Sequence, residues 1–139
     1  PDCLRRFAHP NVPEAAVLSG RAIGSLDDMV EAAAWLLTLG PQAVLLMGRH
    51  LPGDTVYDVL VSAGGTEVMQ APRIDSINTH GTGCTLASAV ATGLAQGLGL
   101  RDAVLRARAY VAEAIRSAPG IGKGHGPLNH AHTVRRFDS

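Results

Sequence analysis

The sequence lacks several features that define whole classes of protein. Its 139 residues carry 12 basic and 12 acidic side chains, so the formal net charge is zero and there is no basic excess of the kind that binds nucleic acid. No apolar run approaches the roughly 18 residues of a membrane-spanning helix, and residues 1–6 lack the apolar stretch of a signal peptide. Cys3 and Cys84 are too far apart and too differently flanked to suggest a disulfide framework. These absences predict a soluble, reduced, cytoplasmic protein whose partners include neither nucleic acid nor membrane.

Two common phosphate-binding fingerprints are also missing. Residues 48–54 have the glycine spacing of a P-loop, but Asp54 stands where the lysine is obligatory. No G-x-G-x-x-G sequence follows a strand pattern, which excludes the dinucleotide fingerprint. Three histidines near the end of the chain, His125, His130 and His132, lack the regular spacing and the cysteine or carboxylate neighbours of a metal site. We therefore expect these histidines to face solvent or to form hydrogen bonds.

The remaining composition is that of a globular protein with helix and strand patterns in alternation. Hydrophobic residues make up 46% and charged residues 17%, a balance that excludes disorder. Asn11 and Pro13 open a helix that Gly20 ends, and Ser25 with Asp28 resembles a capping box before a second helix. The other predicted elements are a strand buried on both faces at 43–47, a hairpin from 56–61 and 67–70, and helices at 83–98 and 101–117. This order predicts an α/β fold with a mixed sheet.

Residues 78–86 carry the strongest chemical signal. Gly81 and Gly83 precede or begin a predicted helix, where unpaired N–H groups and the positive end of the helix dipole hold an anion. Glycine lets the backbone approach a phosphate closely, and the same field would stabilise a thiolate at Cys84. The alternative interpretation is a simple glycine turn followed by a small buried cysteine.

Asn11 and Glu14 form a second candidate site with two interpretations. A carboxylate and an amide near the end of a strand hold Mg²⁺ and its water ligands in many proteins. Asn at the first cap position and Glu three residues later is itself a helix-capping arrangement, which the local pattern favours.

Five segments together resemble one enzyme family. They read NVPEA at 11–15, VLLMGRHL at 44–51, APRID at 71–75, NTHGTGCTL at 78–86 and GHGPLNH at 124–130. In this order and spacing they are similar to the hydroxymethylpyrimidine/phosphomethylpyrimidine kinases of thiamine biosynthesis. The 78–86 and 124–130 segments are the most specific, because the wider ribokinase-like superfamily usually has Asp at the position of Cys84. The resemblance covers nearly all of this chain but only the C-terminal half of the family.

The resemblance implies a fold, two cofactors and a set of residue roles. Residues 1–139 would be the C-terminal half of a ribokinase-like three-layer α/β/α kinase domain with a mixed, mostly parallel sheet. With ATP and Mg²⁺, such an enzyme phosphorylates 4-amino-5-hydroxymethyl-2-methylpyrimidine, its monophosphate or both. Gly81, Thr82 and Gly83 would form the anion hole and Cys84 would be the catalytic base. Asn11 would bind phosphate, and Glu14 would hold Mg²⁺ through water.

Two departures from the family pattern are visible. The family usually has a lysine near the ATP phosphates where Met47 stands, and it has Thr before Pro where this chain has His9. Arg49 lies two residues after Met47, so it would face the same side if the strand continued, and it could replace the lysine as a phosphate ligand.

The missing N-terminal half is the larger departure. A half-fold exposes a sheet edge and apolar surface, which predicts weak stability, homo-oligomerisation or dependence on the missing half. Two other functions stay open: a catalytically degenerate kinase-like binding or regulatory module, and a cysteine hydrolase that uses Cys84 with His80 or His125.

Overall fold

The computed structural model describes residues 7–134, which form two compact units that divide between Arg73 and Ile74. The first unit contains β1 (Phe7–Ala8), α1 (Val12–Ser19), α2 (Leu26–Leu37), β2 (Ala43–Met47), β3 (Thr55–Ser62) and β4 (Gly65–Pro72). The second unit contains α3 (Thr82–Ala95) and α4 (Leu100–Arg116). Cys3 and the other residues of the 1–6 segment lie outside the described residues. None of the helices within 7–134 is long and apolar enough to cross a bilayer.

The sheet of the first unit has the strand order β1-β2-β3-β4. β1 and β2 are parallel, and the other two neighbouring pairs are antiparallel. The mixed sheet is confirmed, but the expected parallel majority is wrong for the strands described here. The connection lengths explain this, because parallel strands need a long crossover. Only β1 and β2 have one, formed by α1 and α2, whereas β3 turns directly into β4 through residues 63–64.

The core of the first unit lies between the sheet and its two helices. The apolar run predicted as a buried strand is β2, in which Val44 and Leu46 belong to this core and have no exposed surface. Met29 of α2 and Val59 of β3 are equally buried. Each side chain of this size contributes about 1.5–3 kcal/mol when it is fully buried. The sheet therefore fixes where β1 and β2 end. Two of the candidate segments, 11–15 and 44–51, lie at these ends.

The helices of the first unit begin and end as the local sequence predicts. Gly20 ends α1 with a φ of 65°, a left-handed conformation that glycine adopts without strain. The Ser25 side chain accepts the N–H of Asp28 at the start of α2. The Asp28 carboxylate, however, accepts from Gly24 rather than from the Ser25 N–H that a capping box would use.

The second unit is built on two helices that pack closely. A Cβ at Gly93 of α3 would lie 2.9 Å from the Cβ of Ala103 on α4, so a small residue is needed at this crossing. The buried face of α4 has the predicted helical spacing: Ala103, Val104, Ala107, Val111, Ala114 and Ile115. α3 ends three residues earlier than the predicted boundary at 98, because Gly97 turns left-handed with a φ of 89°.

Candidate functional site

Asn11 and Glu14 form a reciprocal capping box at the start of α1. The Asn11 Oδ1 accepts the Glu14 N–H at 2.8 Å, and the Glu14 Oε2 accepts the Asn11 N–H at 3.0 Å. The capping interpretation is therefore confirmed. The capping box still allows a ligand to bind, because the Asn11 amide nitrogen takes no part in it and the Glu14 side chain is exposed.

The capping box lies where β1 and β2 end. Met47 donates its N–H to the carbonyl of Pro10 at 2.9 Å, and Asn11 forms an isolated parallel bridge with Met47. Polar groups at the carboxyl ends of parallel strands are a frequent location for phosphate and metal sites in α/β proteins. The first unit thus places the Asn11 end of this capping box next to Met47.

Arg49 lies just beyond β2, in the loop 48–54. Its expected placement was based on a continuing strand, and that premise is wrong because β2 ends at Met47. The reason is Gly48, whose N–H turns to the Oδ1 of the buried Asp58 at 3.0 Å. The Arg49 side chain is half-buried, and burial lowers the pKa of its guanidinium, with the nearby Arg73 cation as a second cause.

Arg73 is the polar residue that sequence reasoning missed at this end of the sheet. Its guanidinium donates to the carbonyls of Gly53 at 2.6 Å, Arg49 at 2.8 Å and Leu51. The acceptors are 20 to 24 residues away in sequence, so no local pattern reveals them. The only available signal was its place in the APRID segment.

The segment 78–84 has the geometry of an anion-binding turn. Gly81 precedes α3 with a φ of 83°, and no side chain caps the helix. The first N–H groups of a helix have no partner inside it, so those of Gly83 and Cys84 are available to an anion. The Thr82 hydroxyl donates to the carbonyl of Thr79 at 2.7 Å, which closes the turn.

Cys84 lies in the first turn of α3 as a free, exposed thiol. The interpretation of Cys84 as a small buried residue is therefore wrong. Its side chain also lines a cleft of about 750 Å³ that follows α3 towards Thr92 and is bordered by Arg106, Tyr110 and His130. A ligand can thus reach the thiol from solvent.

The GHGPLNH segment holds the turn in place. The His80 N–H donates to the carbonyl of Gly126 at 3.3 Å, and the His125 Nδ1 lies 3.1 Å from the carbonyl of Ile77. A Cβ at Gly126 would overlap the Asn78 side chain, so glycine allows the two segments to touch. His125 therefore forms a hydrogen bond, as expected, and in the described part of the chain Cys84 has no hydrogen bond to a histidine.

Comparison with solved structures identifies the class of fold. The pyridoxal kinase of Staphylococcus aureus, solved with AMP-PCP and pyridoxal, has 32% sequence identity and a TM-score of 0.87, over 94% of this chain and 50% of that one. The predicted ribokinase-like α/β fold is confirmed. A profile of the phosphomethylpyrimidine kinase family matches residues 5–129, and the chain belongs to that family.

Two curated relatives agree with this assignment. The thiamine biosynthesis bifunctional protein ThiED of Geobacter sulfurreducens is 52% identical over 91% of this chain and 26% of its own length. The hydroxymethylpyrimidine/phosphomethylpyrimidine kinase of Streptomyces coelicolor is 46% identical over 88% of this chain and 45% of its own length. The chain thus spans at most about half the length of these relatives.

Proposed function

We propose that this chain is the ATP-phosphate and catalytic-base half of a hydroxymethylpyrimidine/phosphomethylpyrimidine kinase. The reaction would transfer the γ-phosphoryl group of ATP to 4-amino-5-hydroxymethyl-2-methylpyrimidine, to its monophosphate or to both. One observation carries the proposal: the exposed Cys84 thiol lies in the first turn of α3, directly after the left-handed Gly81. A base beside an anion-binding turn is what phosphoryl transfer to an alcohol needs.

Gly81, Thr82 and Gly83 would stabilise the transferring phosphoryl group. Backbone N–H groups at a helix start are fixed before the reaction begins, so they do not have to reorganise as negative charge develops. Loss of one such donor typically costs about 3 kcal/mol of transition-state stabilisation. Cys84 would take the proton from the hydroxymethyl or phosphate group of the acceptor, and a positioned base contributes about 10²–10⁴ in rate.

Asn11, Glu14 and Arg49 would act on the ATP phosphates from the first unit. The Asn11 amide nitrogen can donate to a phosphate oxygen while its Oδ1 caps α1. The exposed Glu14 carboxylate uses one oxygen in the capping box, which leaves it able to hold a water ligand of Mg²⁺. Mg²⁺ would neutralise phosphate charge, and Arg49 would replace the family lysine as the nearby cation.

The two units would belong to one kinase domain that also needs a second half. Val17 and Leu18 of α1 are 84% and 58% exposed, and both line an apolar hollow beside β1. Among the described strands, β1 pairs only with β2. An unpaired edge next to exposed apolar side chains is a surface for further strands and helices. Either the missing half or a second copy of the chain would cover it.

The test is ADP release by the 139-residue chain with ATP, Mg²⁺ and the hydroxymethylpyrimidine, with pyridoxal as a second acceptor. We expect Cys84→Ala to lose at least about 100-fold in rate. Ser88→Ala, one turn along α3 in the same cleft, is the matched control and should retain activity.

The competing functions give different results. ATP binding without turnover in either form would favour the degenerate binding module or dependence on the missing half. Thiol-ester hydrolysis without ATP that disappears in Cys84→Ala would favour the hydrolase.

A further inference from the structure

Arg73 connects the end of β4 to most of the loop 48–54. Its Nε, Nη1 and Nη2 atoms donate to the carbonyls of Gly53, Arg49 and Leu51, respectively. Its backbone N–H also donates to the carbonyl of Asp54 at 2.7 Å. One residue therefore contacts four positions of the loop. Arginine suits this role because its donors lie in a rigid planar fork.

The other end of the loop is held independently. Gly48 donates its N–H to the buried Asp58 carboxylate at 3.0 Å, and its carbonyl accepts the Leu51 N–H at 3.0 Å. A Cβ at Gly48 would overlap the carbonyl of Tyr57. With its first residue fixed by Asp58 and its later carbonyls fixed by Arg73, the loop has one preferred backbone conformation.

Arg49 is presented from within this fixed loop. Its own carbonyl accepts from Arg73, so the Arg73 contact sets the position of the backbone from which the Arg49 side chain extends. Burial and the neighbouring Arg73 cation both lower the pKa of the Arg49 guanidinium. A bound phosphate would relieve both unfavourable effects, because an anion compensates lost hydration and like-charge repulsion.

We infer that Arg73 is a positioning residue: it holds the loop 48–54 so that Arg49 meets the nucleotide phosphates, and it does not bind phosphate itself. Three of its five N–H donors already bind carbonyls of the loop, so most of the hydrogen-bonding capacity of this guanidinium is used there. The inference rests on the proposed role of Arg49 in ATP binding. It adds a residue that acts through Arg49 from the segment directly after β4.

The experiment measures the dissociation constants of Mg²⁺-ATP and of inorganic tripolyphosphate for the 139-residue chain. The variants are Arg49→Ala, Arg73→Lys and the double variant. Lysine keeps the positive charge but cannot reproduce three donors in a planar fork. We expect each single variant to bind both ligands about 10-fold to 100-fold more weakly, the range for loss of one charged hydrogen bond. The double variant should be no weaker than Arg49→Ala alone, because both changes remove the same contact.

Arg21→Ala is the matched control for charge. Arg21 is an exposed arginine of the same unit that pairs with Glu31 at 3.4 Å, so its loss should leave both dissociation constants unchanged. If Arg73→Lys binds like the wild type, or if its effect adds to that of Arg49→Ala, the positioning role is wrong. If the wild-type chain binds neither ligand, the proposed function of the chain fails instead.

Hydrogen exchange of residues 48–54 in the wild type tests the same idea without ligand and without a variant that must fold. The Leu51 amide, which bonds within the loop, should exchange more slowly than it would in an unstructured peptide. Unprotected exchange at Leu51 would overturn the inference whatever the binding data show.

Discussion

Replacement of Gly48 by alanine adds only one methyl group but should strongly destabilise the first unit. The added Cβ would overlap the carbonyl of Tyr57 and would lie 2.8 Å from the terminal methyl carbon of the buried Met29. Overpacking of this kind costs about 1–3 kcal/mol. If the backbone moves to relieve it, the hydrogen bond from Gly48 to the Asp58 carboxylate is also lost, at about 1.5–3 kcal/mol. We therefore expect the free energy of unfolding to fall by about 2.5–6 kcal/mol when both effects operate.

Urea unfolding followed by Trp35 fluorescence measures this cost. Trp35 is the single tryptophan of the chain and lies on α2, in the same unit as Gly48. Gly64→Ala is the control, because its Cβ would meet only the Ser62 hydroxyl at an ordinary 3.6 Å, and it should change stability by less than about 0.5 kcal/mol. A Gly48→Ala cost below about 1 kcal/mol would refute the close packing at the start of the loop.

Two further predictions concern pH and association. The hydrogen bond from the Gly24 N–H, with the Ser25 side chain as the second cause, lowers the pKa of Asp28. The stabilising contribution of Asp28 is therefore present above about pH 4 and is lost as the pH falls through the lowered value. Asp28→Asn should therefore flatten the stability profile in acid denaturation, and an unchanged profile contradicts this. Leu18→Glu should reduce self-association in sedimentation velocity. Leu39→Glu is the control, because Leu39 is equally exposed but lies outside the apolar hollow, and it should not change association. A monomeric wild type would contradict the predicted self-association.

The elements that could be predicted from sequence are those with local causes. Asn11 and Ser25 begin helices and Gly20 ends one, in each case for reasons that lie within four residues. The β2 run is buried because it contains no polar side chain. The left-handed turn at Gly81 belongs to the same group, since glycine before a helix is itself the signal.

The features that could not be predicted depend on contacts between distant residues. Arg73 reaches carbonyls 20 to 24 positions earlier, and Asp58 stops β2 by accepting from Gly48 ten positions before it. Because β2 stops there, Arg49 lies in a loop rather than on a strand face. Its expected orientation was therefore derived from the wrong backbone.

The contact between the GHGPLNH segment and the turn before α3 also determines when this turn can form during synthesis. His125 contacts the carbonyl of Ile77 across 48 positions of sequence. At 5–20 residues per second, a ribosome adds His125 roughly 2–10 s after Ile77. During that interval the nascent chain contains the glycines and Cys84 but not the segment that holds them. The exposed Cys84 thiol is thus made before its surroundings are complete, and a chain released early would carry it without the contacts that fix the turn.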